Sequence, residues 1–365
     1  MTSPSPTSPP SAAPVDPDRP EVAPVRAGEE LDWSALEAHL RAELSDRLEL
    51  GPGFSVEQFP HGSANLTYRV ALGDMKLVVR RPPFGHIAAG AHDMLREYTV
   101  LSRLGTAYPR APLGLLHCAD ESVVGAQFLV SEYRPGIVVW DQVPASMAHV
   151  PDAGRHLGMA TIEALADLHA VDYEACGLAD LGRPEAYLER QLRGWARRWA
   201  DVATEGAESV TRAGERLAAT MPTTRVAGVL HNDFKVDNCQ FRPDDPTTVV
   251  SVFDWDMATL GDPLCDLGTL LNYWPQGDQP NAVPGLAALG LPSRDEVVER
   301  YLSRRGIEAT AQEIDWYEAF GCWKTAVILQ QLFVRHVRGE TTDPRMAERG
   351  ASVVPLAERT FDLVP

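Results

Sequence analysis

The 365-residue chain is poor in several things, and each scarcity removes a class of protein. Its five cysteines, Cys118, Cys176, Cys239, Cys265 and Cys322, show no C-x-x-C pair and no histidine at metal-ligand spacing. That excludes a zinc module or a disulfide scaffold and predicts reduced thiols in a cytoplasmic protein. No run of 18 apolar residues occurs, so no transmembrane helix is expected, and the opening stretch has neither the basic nor the apolar segment of a secretory signal. Basic residues are outnumbered: 33 Lys and Arg face 51 Asp and Glu, a formal charge of -18, of which residues 1–30 carry only -3. An acidic body argues against nucleic acid as a partner. It suits a cationic ligand and plain solubility equally well. Repeats with a period of roughly 20 to 50 residues are also missing.

What is present begins with a tail. Eight prolines fall in the first 24 residues among Ser, Thr and Ala, which predicts a disordered, polyproline-leaning segment over residues 1–30 that takes no part in the fold. The remainder, with 44% hydrophobic residues overall, is long enough to bury a substantial core as one bilobal enzyme or two domains.

The densest information lies in residues 230–267. Asp233 and Asn238 stand five apart as D-x-x-x-x-N behind His231, and Asp254 follows the β-branched run 247–253. This is the spacing of a kinase catalytic loop and its metal-binding aspartate. Phosphoryl transfer asks a protein for positioning, charge neutralisation and a carboxylate that orients the attacking hydroxyl. Asp233 is the candidate carboxylate. Asn238 and Asp254 offer hard oxygen ligands of the kind Mg²⁺ takes. The Pro243-Asp244-Asp245-Pro246 cluster reads as a turn, so residues 239–242 and 247–253 are expected to form a hairpin that returns Asp254 to Asn238. Lys235, two residues beyond Asp233, reads either as a point charge for the γ-phosphate or as a solvated loop lysine.

These residues resemble the aminoglycoside phosphotransferase and choline kinase-like family, relatives of the protein kinases, through the pattern H-x-D-x-x-x-x-N plus D-W-[DE]. The run Asp254-Trp255-Asp256-Met257-Ala258-Thr259-Leu260-Gly261-Asp262-Pro263 resembles one branch most: kinase-like domains found alone in bacteria and fused to acyl-CoA dehydrogenase domains elsewhere. The resemblance implies ATP and Mg²⁺ as cofactors and a small-molecule acceptor with a hydroxyl group. The branch favours a hydroxyacyl compound or its CoA thioester over an aminoglycoside. It further implies an α+β, bilobal protein kinase-like fold with a small sheet-plus-helix N-lobe over residues 31–134 and a larger, mainly helical C-lobe over 135–365. No membrane or nucleic acid enters this picture, and the sequence assigns no oligomeric state.

The same resemblance implies three parts in the N-terminal half. Residues 61–70 resemble the loop between the first two strands, with Gly62 and the Ser63 hydroxyl near the phosphates. Gly51-Pro52-Gly53 sits too early for that role and reads as a plain turn. The expected strand 75–81 ends with Arg80 where protein kinases place a lysine, and period-2 alternation sets Arg80 with Val78 on the nucleotide side, away from Arg81. Arginine is permanently charged and forks two donors, so phosphate binding is kept with a changed geometry. In the expected helix 91–104, Leu95, Tyr98, Leu101 and Leu104 form the apolar stripe, and Glu97, off that stripe, is the implied partner of Arg80. Residues 125–136 read as the hinge, where Glu132 and Tyr133 would meet adenine mostly through main chain.

The remaining motifs read first as structure. Asp262 before Pro263 is expected to cap the following helix, and the resemblance implies that Asp266 braces the catalytic loop by accepting backbone hydrogen bonds. His231 reads as loop support, since Asp233 already fills the role of base. Asp256 reads either as an aid to the metal or as a partner for its own loop. Helices are expected over 152–171, 184–203, 293–304 and 311–338. Trp195, Trp199, Trp274, Trp316 and Trp323 are expected to pack in the core. Arg193, Arg197 and Arg198 read either as contacts for an anionic acceptor or as cover for a helix surface. Cys239 and Cys265 flank the expected site, so alkylation there is expected to inhibit.

Overall fold

The structure is a computed structural model that describes residues 22–60, 65–84, 93–277, 285–341 and 343–364. Residues 23–30, counted with the tail above, belong to the fold. Ala23 exchanges both backbone hydrogen bonds with Gln58 at 2.8 Å, and the Tyr68 hydroxyl donates to the Glu29 carbonyl at 2.6 Å. A proline-rich composition does not prevent edge pairing where an N–H is available.

The N-terminal part opens with helix α1 (Trp33–Leu44), which the sequence reading omitted and which Asp32 caps through the Ala35 N–H. Strands β1 (Phe54–Gln58), β2 (Leu66–Leu72) and β3 (Met75–Arg81) follow, then helix α2 (Met94–Leu104), β4 (Gly114–Cys118) and β5 (Phe128–Glu132). The strands form one antiparallel sheet in the order β1-β2-β3-β5-β4. In β2 the side chains alternate strictly between buried and half-buried, the period of a strand with one face on a core. That core joins Leu36, Leu40 and Leu44 of α1 to Tyr68, Val70, Leu77, Val79 and Val130 of the sheet. Gly51 and Gly53 lie against the β2–β3 turn, with Gly51 N donating to Leu72 O and Gly53 O accepting from Gly73 N.

Beyond β6 (Ile137–Val138) the chain is mainly helical: α3 (Ala153–His169), α4 (Tyr187–Ala200) and α5 (Glu208–Ala219) precede the site. The site segment itself lies between short strands, β7 (Gly228–Leu230), β8 (Cys239–Arg242), β9 (Asp245–Val252) and β10 (Thr259–Gly261). Helices α6 (Leu264–Tyr273), α7 (Arg294–Arg305), α8 (Ala311–Val337), α9 (Arg345–Glu348) and α10 (Val353–Leu363) complete the described chain. The expected helices are each found within a few residues of their sequence bounds, whereas α5 and α10 were not anticipated. Both carry an apolar face at helical spacing, Val210, Ala213 and Leu217 in α5 and Val353, Leu356 and Ala357 in α10, and pack it against α8 and each other. Capping boxes at Ser293 and Thr310 start α7 and α8. Trp195, Trp199, Trp316 and Trp323 are buried in the cluster built on α4, α5, α8 and α10, and Trp274 in the central one.

Helices α6 and α8 cross at unusually close range. A Cβ on Gly268 would lie 2.1 Å from the Tyr317 carbonyl, and one on Gly321 would lie 2.8 Å from the Gly268 carbonyl. Only glycine at both positions permits that approach, which sets α8 directly behind the site. No helix among the described residues is long and apolar enough to cross a membrane.

Candidate active site

Two antiparallel pairings fold residues 231–258 into a compact unit. The β7–β10 ribbon matches Leu230 with Thr259, and the β8–β9 hairpin matches Cys239 with Val252. His231 and Asn238 therefore face the 253–258 segment at its two ends, and Phe253 N donates to Asn238 O at 3.1 Å. The hairpin turn falls at residues 243–244, so β9 begins two residues earlier than the sequence predicted.

Within this unit Asn232 and Asp254 adopt left-handed backbone, φ 67° and 72°. Such conformations cost on the order of 1–3 kcal/mol outside glycine and persist only where surroundings fix them. The surroundings here are explicit. Asp266, 0% exposed on α6, accepts from His231 N at 2.6 Å and from Asn232 N at 2.9 Å. It also accepts from His169 Nε2 at 3.3 Å, while the Tyr301 hydroxyl meets His169 Nδ1 at 2.7 Å. Burial would raise the Asp266 pKa, but His169 and His231 outweigh it and hold the carboxyl below its usual range. Burial in turn pulls His169 below the usual histidine value, against the pull of Asp266. His231 spends both ring nitrogens, Nε2 on the Phe253 carbonyl at 3.0 Å and Nδ1 on the Asp233 N–H at 3.3 Å. It is loop support. Asp262 caps as expected, accepting from Leu264 N at 3.0 Å and from the Tyr317 hydroxyl at 2.7 Å.

Arg80, Glu97, Glu132, Tyr133, Lys235, Asn238 and Asp254 line one cleft of about 500 Å³ between the sheet and the helical part, while Asp233 is not part of its lining and adjoins it through Asn238 and Lys235. Asn238 donates Nδ2 to the Asp233 backbone oxygen at 2.7 Å and to Asp233 Oδ2 at 3.0 Å, which orients the amide with its carbonyl oxygen turned away from Asp233. Lys235 Nζ lies 3.2 Å from Asp233 Oδ2 and 3.8 Å from Asp237 Oδ2. Burial opposes the lysine charge, but Asp233 and Asp237 outweigh it and raise its pKa. Asp237 was missed in the sequence. It lines the cleft with Oδ1 buried and without a hydrogen-bond partner among the described residues, and burial raises its pKa against the pull of Lys235.

From the sheet side, Arg80 and Val78 line the cleft while Arg81 does not. Arg80 Nη1 donates to Glu97 Oε1 at 2.9 Å, Nη2 donates to Asp254 Oδ1, and Asp256 Oδ2 lies 3.8 Å away. Burial disfavours the Arg80 charge, yet Asp254, Glu97 and Asp256 raise its pKa further. Burial likewise pushes the Glu97 carboxyl up to about 7, with Arg80 pulling it down. Asp254 is held low: burial opposes ionisation, and Arg80 prevails. Arg81 is only 2% exposed and gives its guanidinium to the Val124 and Pro82 carbonyls.

Several expectations need correction. Glu97 lies on the buried face of α2 with Met94, Leu101 and Leu104, at 3% exposure, whereas Leu95 is 53% exposed. Leu95 and Leu101 are six residues apart, about 120° round a helix of 3.6 residues per turn, so they do not share a stripe, while Glu97 and Leu101 share a face. Glu132 lines the cleft, but its side chain is committed to the hinge, accepting from Leu113 N and from Arg134 Nε and Nη2. Tyr133 also lines the cleft, with Arg69 and Lys76 over its ring at 5.6 and 5.9 Å. Arg198 covers the Trp195 ring at 4.3 Å, and neither it nor Arg193 or Arg197 lines the cleft. Cys239 and Cys265 are buried and burial raises both thiol pKa values, so alkylation in the native state is not expected. Gly62 and Ser63 lie outside the described residues.

A sheet with a helix over a helical body, and a cleft lined by this ion pair and loop, define the kinase-like fold. The model of the phosphotransferase enzyme family, APH, matches residues 55–301, and the chain belongs to that family. It is 30% identical over 352 residues to acyl-CoA dehydrogenase family member 10 of Mus musculus, covering 94% of this chain and 32% of that protein. The chain thus spans about a third of that curated relative. Among solved structures, it is 30% identical to a Ralstonia eutropha protein provisionally named an aminoglycoside phosphotransferase, at TM-score 0.77 over 92% of this chain and 98% of the other. A thermostable mutant of an aminoglycoside phosphotransferase, solved in ternary complex with AMP-PNP and hygromycin B, shares the fold at 14% identity and TM-score 0.58, covering 91% and 98% of the two chains.

Proposed function

We propose that this phosphotransferase is a small-molecule kinase that moves the γ-phosphoryl group of Mg-ATP to an acceptor hydroxyl. The observation that carries the reading is the Asn238–Asp233 hydrogen bond opposite the Arg80–Glu97 pair across one cleft. Asp233 then orients the acceptor hydroxyl and takes its proton. Lys235, already beside Asp233, neutralises charge on the transferring group. Arg80, kept charged and forked between Glu97 and Asp254, meets the phosphates. The hinge at Glu132 and Tyr133 offers main chain to the base, and the division of lobes falls at residues 134/135. Gly62 and Ser63 complete the phosphate loop in this reading.

The donor set suits magnesium. The Asn238 amide spends its NH₂ on Asp233, which leaves a carbonyl oxygen, and Asp254 engages Arg80 through one oxygen, which leaves the other. One neutral and one anionic hard oxygen, completed by water and phosphate, is the ligation Mg²⁺ prefers. When bound, the ion neutralises charge developing between the β- and γ-phosphates.

For the acceptor, the curated relative's name supports a hydroxyacyl compound or its CoA thioester, and the crystallised relatives' names support an aminoglycoside. ADP or GDP release from Mg-ATP or Mg-GTP, measured across hydroxyacyl-CoAs, free hydroxy acids, aminoglycosides and amino alcohols, separates them. Turnover with one class that Asp233→Asn abolishes is the expected result. Tight Mg-nucleotide binding with no turnover anywhere would instead point to a nucleotide-binding regulator.

A further inference from the structure

Helix α8 brings to the catalytic loop a group that no motif marks. Lys324 is 7% exposed, and its Nζ donates to the main-chain oxygen of Asn232 at 3.1 Å. On its other side the ammonium lies 6.0 Å from the ring centroid of Trp195 on α4. The close crossing of α6 and α8 at Gly268 and Gly321 is what lets a side chain one turn further along α8 reach the loop.

A buried ammonium is expensive, and a purely packing role would be served as well by an apolar residue of equal length. The hydrogen bond falls where it matters most. Asn232 has left-handed backbone and every one of its polar groups is held: N by Asp266, Nδ2 by the Met257 carbonyl, Oδ1 by the Tyr187 hydroxyl, and its carbonyl by Lys324. That carbonyl belongs to the peptide joining Asn232 to Asp233, so whatever fixes its direction fixes the stem of the Asp233 side chain. We propose that Lys324 is a positioning residue for phosphoryl transfer, holding the Asn232–Asp233 peptide so that the Asp233 carboxylate faces the acceptor. This rests on Asp233 being the base. Burial lowers the Lys324 pKa against the pull of Asp266 on α6 and Asp233 in the loop.

The test combines a crystal structure of Lys324→Met with steady-state kinetics of Lys324→Met and Lys324→Arg, using ATP with water as the acceptor probe. In Lys324→Met, Asn232 is expected to leave its left-handed conformation, KM for Mg-ATP to stay within twofold, and kcat to fall on the order of a hundredfold. Lys324→Arg, whose guanidinium can reach the same carbonyl, is expected to recover most of the rate. An unchanged Asn232 in Lys324→Met, or equal losses in both variants, would overturn the proposal. Lys324→Gln, polar but too short to reach, carries the same expectation and replaces Lys324→Met if that variant does not fold. If wild-type protein turns over no ATP with water or with any acceptor of the panel above, the kinase reading fails, and the conformation of Asn232 in the variant crystal still decides the role of Lys324 in the loop.

Discussion

Arg80 and Glu97 reach the cleft from a strand and a helix, whereas Asn238 reaches it from a single 3-10 turn and Asp254 from a loop, with Asp233 in the loop beside Asn238. On the sheet side, position follows from periodicity: β3 alternates, α2 repeats, and the ion pair forms where the two meet. On the helical side, position follows from buried acceptors and donors some way behind the cleft, chiefly Asp266 and the residues around Asn232. The two walls should therefore fail differently. The sheet wall should be damaged only by changes at the cleft itself, and the loop wall also by changes that never touch it.

The sharpest test is at the loop. Asp233→Asn should lower kcat by on the order of a thousandfold with nucleotide affinity nearly unchanged, because the amide keeps the bond partners but not the base; isothermal titration alongside kinetics checks both. Next in size, Asp266→Ala leaves the His231 and Asn232 N–H groups buried and unpaired. A loss of about 3 kcal/mol in denaturant unfolding is expected, together with a fall in kcat, although Asp266 lies behind the loop. If kcat holds while stability drops, the contrast between the walls is broken.

On the sheet side, Arg80→Lys replaces a fork by a single point that cannot serve Glu97 and Asp254 together. KM for Mg-ATP should rise about tenfold, roughly the 1–2 kcal/mol of one charge-assisted bond. Arg81→Lys, one residue along, should cost a similar amount of stability and leave KM alone, since its partners are the Val124 and Pro82 carbonyls. Equal kinetic effects at the two positions would refute the alternation argument. The smallest effect is in pH. His169 has a folded pKa below its usual 6.5, so the native state binds fewer protons than the unfolded one just under that pH. Its contribution is fully present above 6.5 and is lost as pH falls towards the folded value. His169→Gln should flatten that limb of a stability–pH curve measured by urea unfolding.

Much of this was readable without coordinates. The hairpin that returns Asp254 to Asn238, the facing of Arg80 and the burial of the tryptophans follow from local pattern, and the bracing by Asp266 from the family resemblance. What escaped had physical reasons. Glu97 sat in the apolar stripe because a charged residue is discounted when a stripe is traced, although its ion pair makes burial affordable. Lys324 lies in a uniformly buried stretch of α8 and carries no periodic signal; only the glycine pair opposite it hinted at a close approach. Asp237, between two motif positions, was read as spacing. Helices α5 and α10 do carry apolar residues at helical spacing, Val210, Ala213 and Leu217 and then Val353, Leu356 and Ala357, so the sequence held a signal for both.

The burial of four of the five cysteines turns thiol chemistry into a clock for the native state. Cys176, half-buried in the turn after α3, should react with a maleimide or disulfide reagent before the four buried cysteines, although burial raises its thiol pKa too. The other four should react only as the chain opens, and Cys239 and Cys265 sit at the two ends of the site segment. The rate at which those two become modifiable, with and without nucleotide, would time the opening of the catalytic unit itself.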